Sequence, residues 1–110
     1  MTERLVTLDL LRRFAPLEGL KRENLAALVK KTEIRMLESG NVLFREGDSD
    51  RRAYYLVAGS LELANKAGDA RVLRGGTPEA RPAIAPVLPR RATAKALDNV
   101  QYISIDTDLL

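Results

Sequence analysis

The sequence predicts a mainly β fold, an antiparallel sandwich or barrel preceded by two short helices. From Thr32 onward, short apolar or alternating segments recur at regular spacing and are separated by glycine-containing turns, which is typical of antiparallel β architecture. Before that residue, apolar side chains recur at helical spacing. With 110 residues, the chain has the length of one domain with a single core of moderate size.

Residues 1–31 are predicted to hold the two helices. The first covers residues 7–14, with Thr7 as its amino-terminal cap. A proline and a glycine then interrupt the chain. The second helix covers residues 20–31, and its apolar stripe indicates packing against a sheet, with two lysines at the carboxyl end where they suit the helix dipole.

Residues 32–106 are predicted to form the β region. Its strands are predicted at residues 33–38, 42–44, 53–57, 60–65, 70–73, 91–96 and 100–105. Residues 106–110 resemble the acidic first turn of a further helix that stops at once, so we expect the chain to be one domain of a longer protein.

Residues 75–94 interrupt the strands with a segment rich in glycine, proline and arginine that fits neither strand nor ordinary helix. A loop of this kind on a β scaffold is a usual place for a ligand. Six basic residues lie in or beside it against one acidic residue, Glu79, which predicts an affinity for anions.

Composition excludes several classes of function. The chain has no cysteine and no histidine, which removes thiol chemistry, the usual general base and the usual zinc ligands. Asp48 and Asp50 provide too few oxygen ligands for calcium, and Asp48 is instead expected to accept backbone N–H groups in its turn. We therefore predict no enzyme, no catalytic residues and no metal. A net charge of +3 without a helix-turn-helix argues against direct DNA binding, and the absence of a long apolar run or signal peptide predicts a cytoplasmic domain without membrane contact.

Four segments, in order, resemble the cyclic-nucleotide-binding domain shared by bacterial catabolite activators, cAMP-dependent kinase regulatory subunits and cyclic-nucleotide-gated channels. They are Phe14–Leu20, Gly40–Asp48 with its Gly-x-x-Leu-x-x-x-Gly-Asp pattern, Tyr54–Glu62, and Pro89–Ala94 with its Pro-Arg-x-Ala-Thr pattern. The resemblance implies an antiparallel, jelly-roll-like β-roll flanked by helices. It also implies that residues 75–94 correspond to the family's phosphate-binding cassette, and we call them the cassette below.

The resemblance assigns the phosphate contact to Arg90 and places Ala92 and Thr93 in the pocket wall. A fixed guanidinium suits an exocyclic phosphate because it offers paired N–H donors. A structural salt bridge is the alternative role for Arg90, and the sequence leaves both open.

The ribose side of this site departs from the family pattern. The family's ribose-binding glutamate lies nine or ten residues before its arginine, and nine residues before Arg90 stands Arg81, which cannot accept a hydrogen bond from a hydroxyl. Glu79, eleven residues before, is a substitute only in a longer loop. Pro82 and Pro86 also stand where the family's short helix would offer N–H donors.

The resemblance thus implies a regulatory sensor module with a degenerate ligand site, within a larger bacterial signalling protein. Its expected ligand is a cyclic nucleotide such as cAMP or cGMP, bound weakly, or another phosphate-bearing anion such as a dinucleotide. The expected partners are an effector domain in the same or another chain and a second copy in a homodimer. The alternative is a protein-interaction or dimerisation module of the same fold that binds no ligand.

Overall fold

A computed structural model of the chain describes residues 8–15 and 17–107. The predicted cap Thr7 and most of the helix start predicted for residues 106–110 lie outside the described residues. Within them, the order of elements follows the prediction, with helices first and strands after. No helix of the described part is long and apolar enough to cross a bilayer.

Both predicted helices are present but start or end at different residues. Helix α1 spans Leu8–Leu11 and helix α2 spans Arg22–Lys31, with a 3₁₀ turn at Leu17–Gly19 between them. Helix α2 begins two residues later than predicted because Lys21 has extended backbone angles and acts as its N-cap residue. Leu25, on the buried face of α2, is among the core residues.

In the described part of the chain, seven antiparallel strands form two sheets, which confirms the predicted antiparallel β-roll. The first sheet has the order β1-β7-β3 and the second the order β2-β6-β4-β5. The strands are β1 Ile34–Leu37, β2 Val42–Phe44, β3 Arg52–Ala58, β4 Ser60–Ala64, β5 Ala70–Arg74, β6 Thr93–Ala96 and β7 Val100–Asp106.

The core has two parts. One lies between the helices and the first sheet, where Phe14 and Tyr55 pack with their ring centroids 5.2 Å apart. The other is built on the second sheet, where Leu61 and Leu63 of β4 are buried while Ser60, Glu62 and Ala64 are half-buried. This alternation is the period-two pattern that the sequence showed for this strand.

The cassette begins in close contact with the connection between β3 and β4. The amide of Gly75 donates to the carbonyl of Gly59 over 2.9 Å. A Cβ atom at Gly75 would lie 2.6 Å from the Cα atom of Ala58, which is closer than real Cβ contacts. Gly59 itself has φ of +90°, a conformation that glycine adopts without a steric penalty.

We predict that Gly75→Ala destabilises the fold by about 1–3 kcal/mol, because the added methyl group overlaps backbone atoms that cannot turn away. Gly19→Ala is the control, since nothing lies within 4 Å of a Cβ atom at Gly19. Urea unfolding of both variants measures the difference. Equal stability of the two variants would show that the close approach at Gly75 is not a constraint on the fold.

Candidate functional site

The amino-terminal half of the cassette is fixed on strand β3. A short 3₁₀ helix, Pro78–Ala80, opens it, and its proline occupies an early helical position where the missing N–H is tolerated. Ala80 and Ile84 are buried, and the Ile84 amide donates to the carbonyl of Tyr54 over 2.8 Å. No helix forms between residues 82 and 92, as the two prolines there predict.

The carboxyl-terminal half is fixed on the turn between β2 and β3. The Arg90 amide donates to the Asp48 carbonyl over 2.7 Å, and the Gly47 amide donates to the Arg90 carbonyl over 2.7 Å. The Asp48 carboxylate accepts the Arg45 amide over 2.9 Å, which confirms the turn role expected for this aspartate. These hydrogen bonds fix the backbone of Arg90 in a position from which its side chain points into the protein.

The guanidinium of Arg90 is 2% exposed, and protein oxygens accept all five of its N–H groups. Nε and one Nη donate to the two carboxylate oxygens of Asp50, over 3.2 and 2.5 Å. That Nη also donates to the carbonyl of Arg52, over 2.6 Å. The other Nη donates to the carbonyls of Ile84 and Ala85, over 3.4 and 3.0 Å. Since a guanidinium has five donors, none is left for a ligand in this arrangement.

Two aromatic rings complete the surroundings of Arg90. Its guanidinium carbon lies 4.5 Å from the ring centroid of Phe44 and 5.3 Å from that of Tyr54. Both distances are within the range of cation–π attraction, which adds to the charge pairing at a site removed from water. Arg90 is thus held by an ion pair, by backbone carbonyls and by two rings.

This pairing shifts the acid–base behaviour of its neighbours. The hydrogen bond from Arg90 lowers the pKa of Asp50 below its usual value, against the opposing effect of burial. Burial raises the pKa of Tyr54, and the nearby Asp50 charge adds to that effect. The Asp50 carboxylate is therefore charged at neutral pH, while the Tyr54 hydroxyl is neutral.

The other predicted site residues do not lie together. Ala92 and Thr93 are half-buried, and the Thr93 hydroxyl oxygen accepts the amide of Glu46 over 3.0 Å. Arg81 and Glu79 are exposed at the other half of the cassette, on and just after its 3₁₀ helix. The five predicted residues are therefore divided between the two halves of the cassette, and Arg90 lies in the interior.

Two clefts lie beside residues 76–92 of the cassette, and a third, of about 480 Å³, includes Thr93 in its wall. The hairpin cleft, of about 280 Å³, lies between the cassette and the β4–β5 hairpin; its wall includes Asn65, Arg71, Arg91 and Ala92. The helix cleft, of about 440 Å³, lies between the cassette and the residues that follow α1; its wall includes Arg81. Arg90 lines neither cleft.

Asp50 is the residue that sequence reasoning missed. It stands 40 residues before Arg90, and its neighbours in sequence indicate only a turn. No local pattern links it to an arginine in a distant loop. Arg91 lines the hairpin cleft, and the Pro-Arg-x-Ala-Thr pattern gives no signal for it because it leaves this position open.

Comparisons with known proteins identify the family of this chain. A profile of the cyclic nucleotide-binding domain matches residues 34–110. The chain belongs to the cyclic nucleotide-binding domain family. A search of curated protein sequences finds no match. The family membership agrees with the β-roll and with the resemblance that the four sequence segments carried.

Solved structures of this family have the same fold. The sensor domain of the transcriptional regulator DNR from Pseudomonas aeruginosa superposes with a TM-score of 0.77 at 21% identity, over 94% of this chain and 76% of the other. The regulatory domain of Toxoplasma gondii PKA, co-crystallised with cAMP, gives 0.73 at 21% identity, over 93% and 41%. The amino-terminal domain of a Streptomyces coelicolor transcriptional regulator gives 0.69 at 28% identity, over 93% and 75%. The chain thus spans less than half of the kinase regulatory chain.

We predict that Arg90→Ala destabilises the cyclic nucleotide-binding domain by about 3 kcal/mol, because it leaves the Asp50 carboxylate and three carbonyls without their donor. The estimate lies at the lower end for a buried pair because the Asp50 side chain is 27% exposed. Arg91→Ala is the control, since this exposed neighbour should change stability by no more than about 0.5 kcal/mol. Thermal and urea unfolding measure both, and equal effects would contradict a structural role for Arg90.

Low pH should remove the contribution of the Arg90–Asp50 ion pair to the free energy of unfolding. The folded-state pKa of Asp50 is lowered, so the stabilisation is present above the unfolded pKa of about 4 and is lost as pH falls through the lower folded-state pKa. We expect wild-type protein to be more stable than Asp50→Asn at pH 7 and the difference to shrink steadily below about pH 4. Urea midpoints between pH 2.5 and 7 test this, and a constant difference would contradict it.

Proposed function

We propose that this domain is a regulatory module whose cyclic-nucleotide site is degenerate, so that cAMP and cGMP bind weakly or not at all. The observation that supports this proposal is the position of Arg90. The residue that the family pattern offers to the phosphate is 2% exposed and has every N–H donor paired within the protein.

Weak binding is expected because the phosphate and the Asp50 carboxylate would compete for the same guanidinium, that of Arg90. A cyclic phosphate carries one negative charge, as the Asp50 carboxylate does, so binding it at Arg90 requires displacement of Asp50. Breaking a buried, hydrogen-bonded ion pair costs about 3 kcal/mol or more. That free energy corresponds to a loss of about two orders of magnitude in affinity.

The ribose side adds a second reason. Arg81 stands where the family has a carboxylate, and it lines the helix cleft rather than the hairpin cleft. The wall of the hairpin cleft contains Arg71 and Arg91 together with one carboxylate, that of Asp69, which accepts a hydrogen bond from the Asn65 side chain. This wall favours loose binding of an anion over the specific recognition of a nucleoside.

We further propose that the module acts on an effector domain in the same or another chain. The DNR domain is the sensor domain of a transcriptional regulator, and the Streptomyces structure is the amino-terminal domain of one. A domain of this fold that has lost tight ligand binding can retain such a role through its contacts with a partner.

A second candidate function is protein interaction or dimerisation without any ligand. It is favoured by two apolar side chains at the tip of the cassette, Val87 and Leu88, which are 51% and 41% exposed. Neighbouring apolar side chains on an exposed loop are a common feature of protein contacts. In this case the cassette would present a surface and not a pocket.

Calorimetric titration with cAMP and cGMP tests the degenerate site. We expect dissociation constants weaker than about 1 mM for the wild-type domain. Asp50→Asn should tighten cAMP binding by about tenfold or more, because it leaves the Arg90 charge without an anion and removes the competitor for the phosphate.

Asp69→Asn is the matched control, since it removes the same charge beside the hairpin cleft without a contact to Arg90. Micromolar binding of cAMP by wild-type protein would contradict the proposal. An equal gain in both variants would show a general charge effect instead of competition at Arg90. If neither variant binds and Val87→Ser lowers self-association in sedimentation experiments, the interaction function is supported.

A further inference from the structure

We propose that the open edge of strand β5 is a docking site for an acidic, extended peptide segment of a partner protein, which adds to the second sheet as a further strand. Strand β5, Ala70–Arg74, is the last strand of that sheet, and β4 is its only neighbouring strand among the described residues. The proposal goes beyond the function above, because it names a binding surface and a class of partner and does not depend on Arg90.

The backbone groups of β5 point alternately toward β4 and toward the open edge. The Gly75 amide donates to the Gly59 carbonyl over 2.9 Å, which fixes the phase of this alternation just past the end of the strand. In the same antiparallel register, Leu73 stands two residues earlier and also bonds to β4. The N–H and C=O groups of Ala70 and Val72 therefore face the open edge.

These edge-facing groups of Ala70 and Val72 have no hydrogen-bond partner in the part of the chain that the structure describes. The edge of β3 differs, because the cassette covers it and the Ile84 amide donates to the Tyr54 carbonyl there, over 2.8 Å. Unpaired backbone groups along an exposed strand are a template on which an extended peptide can add as a new strand.

The side chains of β5 are exposed at every position except Leu73. Val72 is 45% exposed, with Arg71 before it and Arg74 two residues after it. Neither arginine side chain has an ion-pair or hydrogen-bond partner among the described residues. The carbonyl of Arg74 accepts the Thr77 hydroxyl over 2.6 Å, so the open edge ends at this residue.

The charge of the β5 edge selects its occupant. Pairing of two copies about Val72 would place Arg71 and Arg74 of both copies along one seam, and like charges on paired strands are destabilising. A strand with carboxylates opposite the two arginines gains cross-strand charge pairs, and arginine donors match both oxygens of a carboxylate. Apolar residues between those carboxylates would cover Val72. The edge therefore fits an acidic strand better than a second copy of this chain.

The probe is the peptide acetyl-Thr-Glu-Val-Val-Glu-Thr-amide, designed to pair antiparallel with β5. Its glutamates then lie opposite Arg74 and Arg71, and its second valine lies opposite Val72. In an NMR titration of the ¹⁵N-labelled domain, we expect a dissociation constant of about 1 mM or tighter. Hydrogen exchange at the Ala70 and Val72 amides should slow when the peptide binds, whereas the Leu73 amide, which faces β4, should be protected with or without it.

N-methylated peptides separate strand addition from charge attraction. N-methylation of the second valine removes its hydrogen bond to Val72 and should weaken binding by about tenfold or more. The first valine is the matched control, because its N–H faces away from β5, and N-methylation there should weaken binding by less than about threefold. This comparison leaves the protein unchanged, so it does not depend on whether a variant folds.

Protein variants test the two arginines. Arg71→Gln and Arg74→Gln should each weaken peptide binding by about threefold, as expected for exposed charge pairs. Arg45→Gln is the control, since Arg45 is exposed and lies outside β5, and it should weaken binding by less than about 1.5-fold. Melting temperatures establish that the variants are folded.

The proposal is overturned by no shifts at about 10 mM peptide, by equal effects of the two N-methylations, or by equal effects of the three arginine variants. Sedimentation of the domain alone tests the second copy as occupant. Val72→Pro removes an N–H that faces the open edge and none that bonds to β4. If the domain dimerises and this variant abolishes the dimer, the edge pairs with itself and the proposal is wrong. The cAMP titration above fails or succeeds separately, because it depends on Arg90 and Asp50.

Discussion

The ion pair between Arg90 and Asp50 is the interaction on which the cassette depends. It joins the residues at the start of β3, Asp50 and Arg52, to the two halves of the cassette, which are distant from them in sequence. Isolated buried charges are unfavourable, but here every donor of the guanidinium has an acceptor and the rings of Phe44 and Tyr54 lie beside it. The pair therefore stabilises one position of a loop that has little regular secondary structure of its own.

The Arg90–Asp50 ion pair illustrates how the fold of a family and its ligand site can diverge. Members of a family can keep the scaffold while the site on it changes, because packing and ligand recognition rely on different atoms. In this chain the described residues keep the two-sheet β-roll, yet Arg90 lies in the interior. Arg81 lines the helix cleft, which Arg90 does not reach. Arg90, the arginine that matches the family pattern, thus has a structural role. The other arginines near the cassette lie on either side of it.

The cassette lies between the hairpin cleft and the helix cleft, and arginines contribute to the walls of both. The hairpin cleft has Arg71 and Arg91 in its wall. The helix cleft has a larger volume and a direct backbone link to the amino-terminal segment, through the hydrogen bond between Ala15 and Arg81. Backbone hydrogen bonds connect the cassette to Tyr54 of β3 and to Asp48 in the turn between β2 and β3.

The sequence by itself determined a mainly β, antiparallel fold, the succession of its strands along the chain, the helices before it and the irregular cassette, because these follow from local periodicity and turn residues. The resemblance to the family implied the β-roll and placed Arg81 where a ribose carboxylate is expected, and the prolines predicted that no helix forms between residues 82 and 92. Only the tertiary structure decided which way Arg90 points, because its partner Asp50 lies 40 residues away and no local pattern records a contact across that distance. The same is true of Arg81, whose surroundings are set by Ala15 and by the segment after α1, and not by its neighbours in sequence. Local chemistry predicts the elements of this domain, and long-range packing determines which of its arginines a ligand can reach.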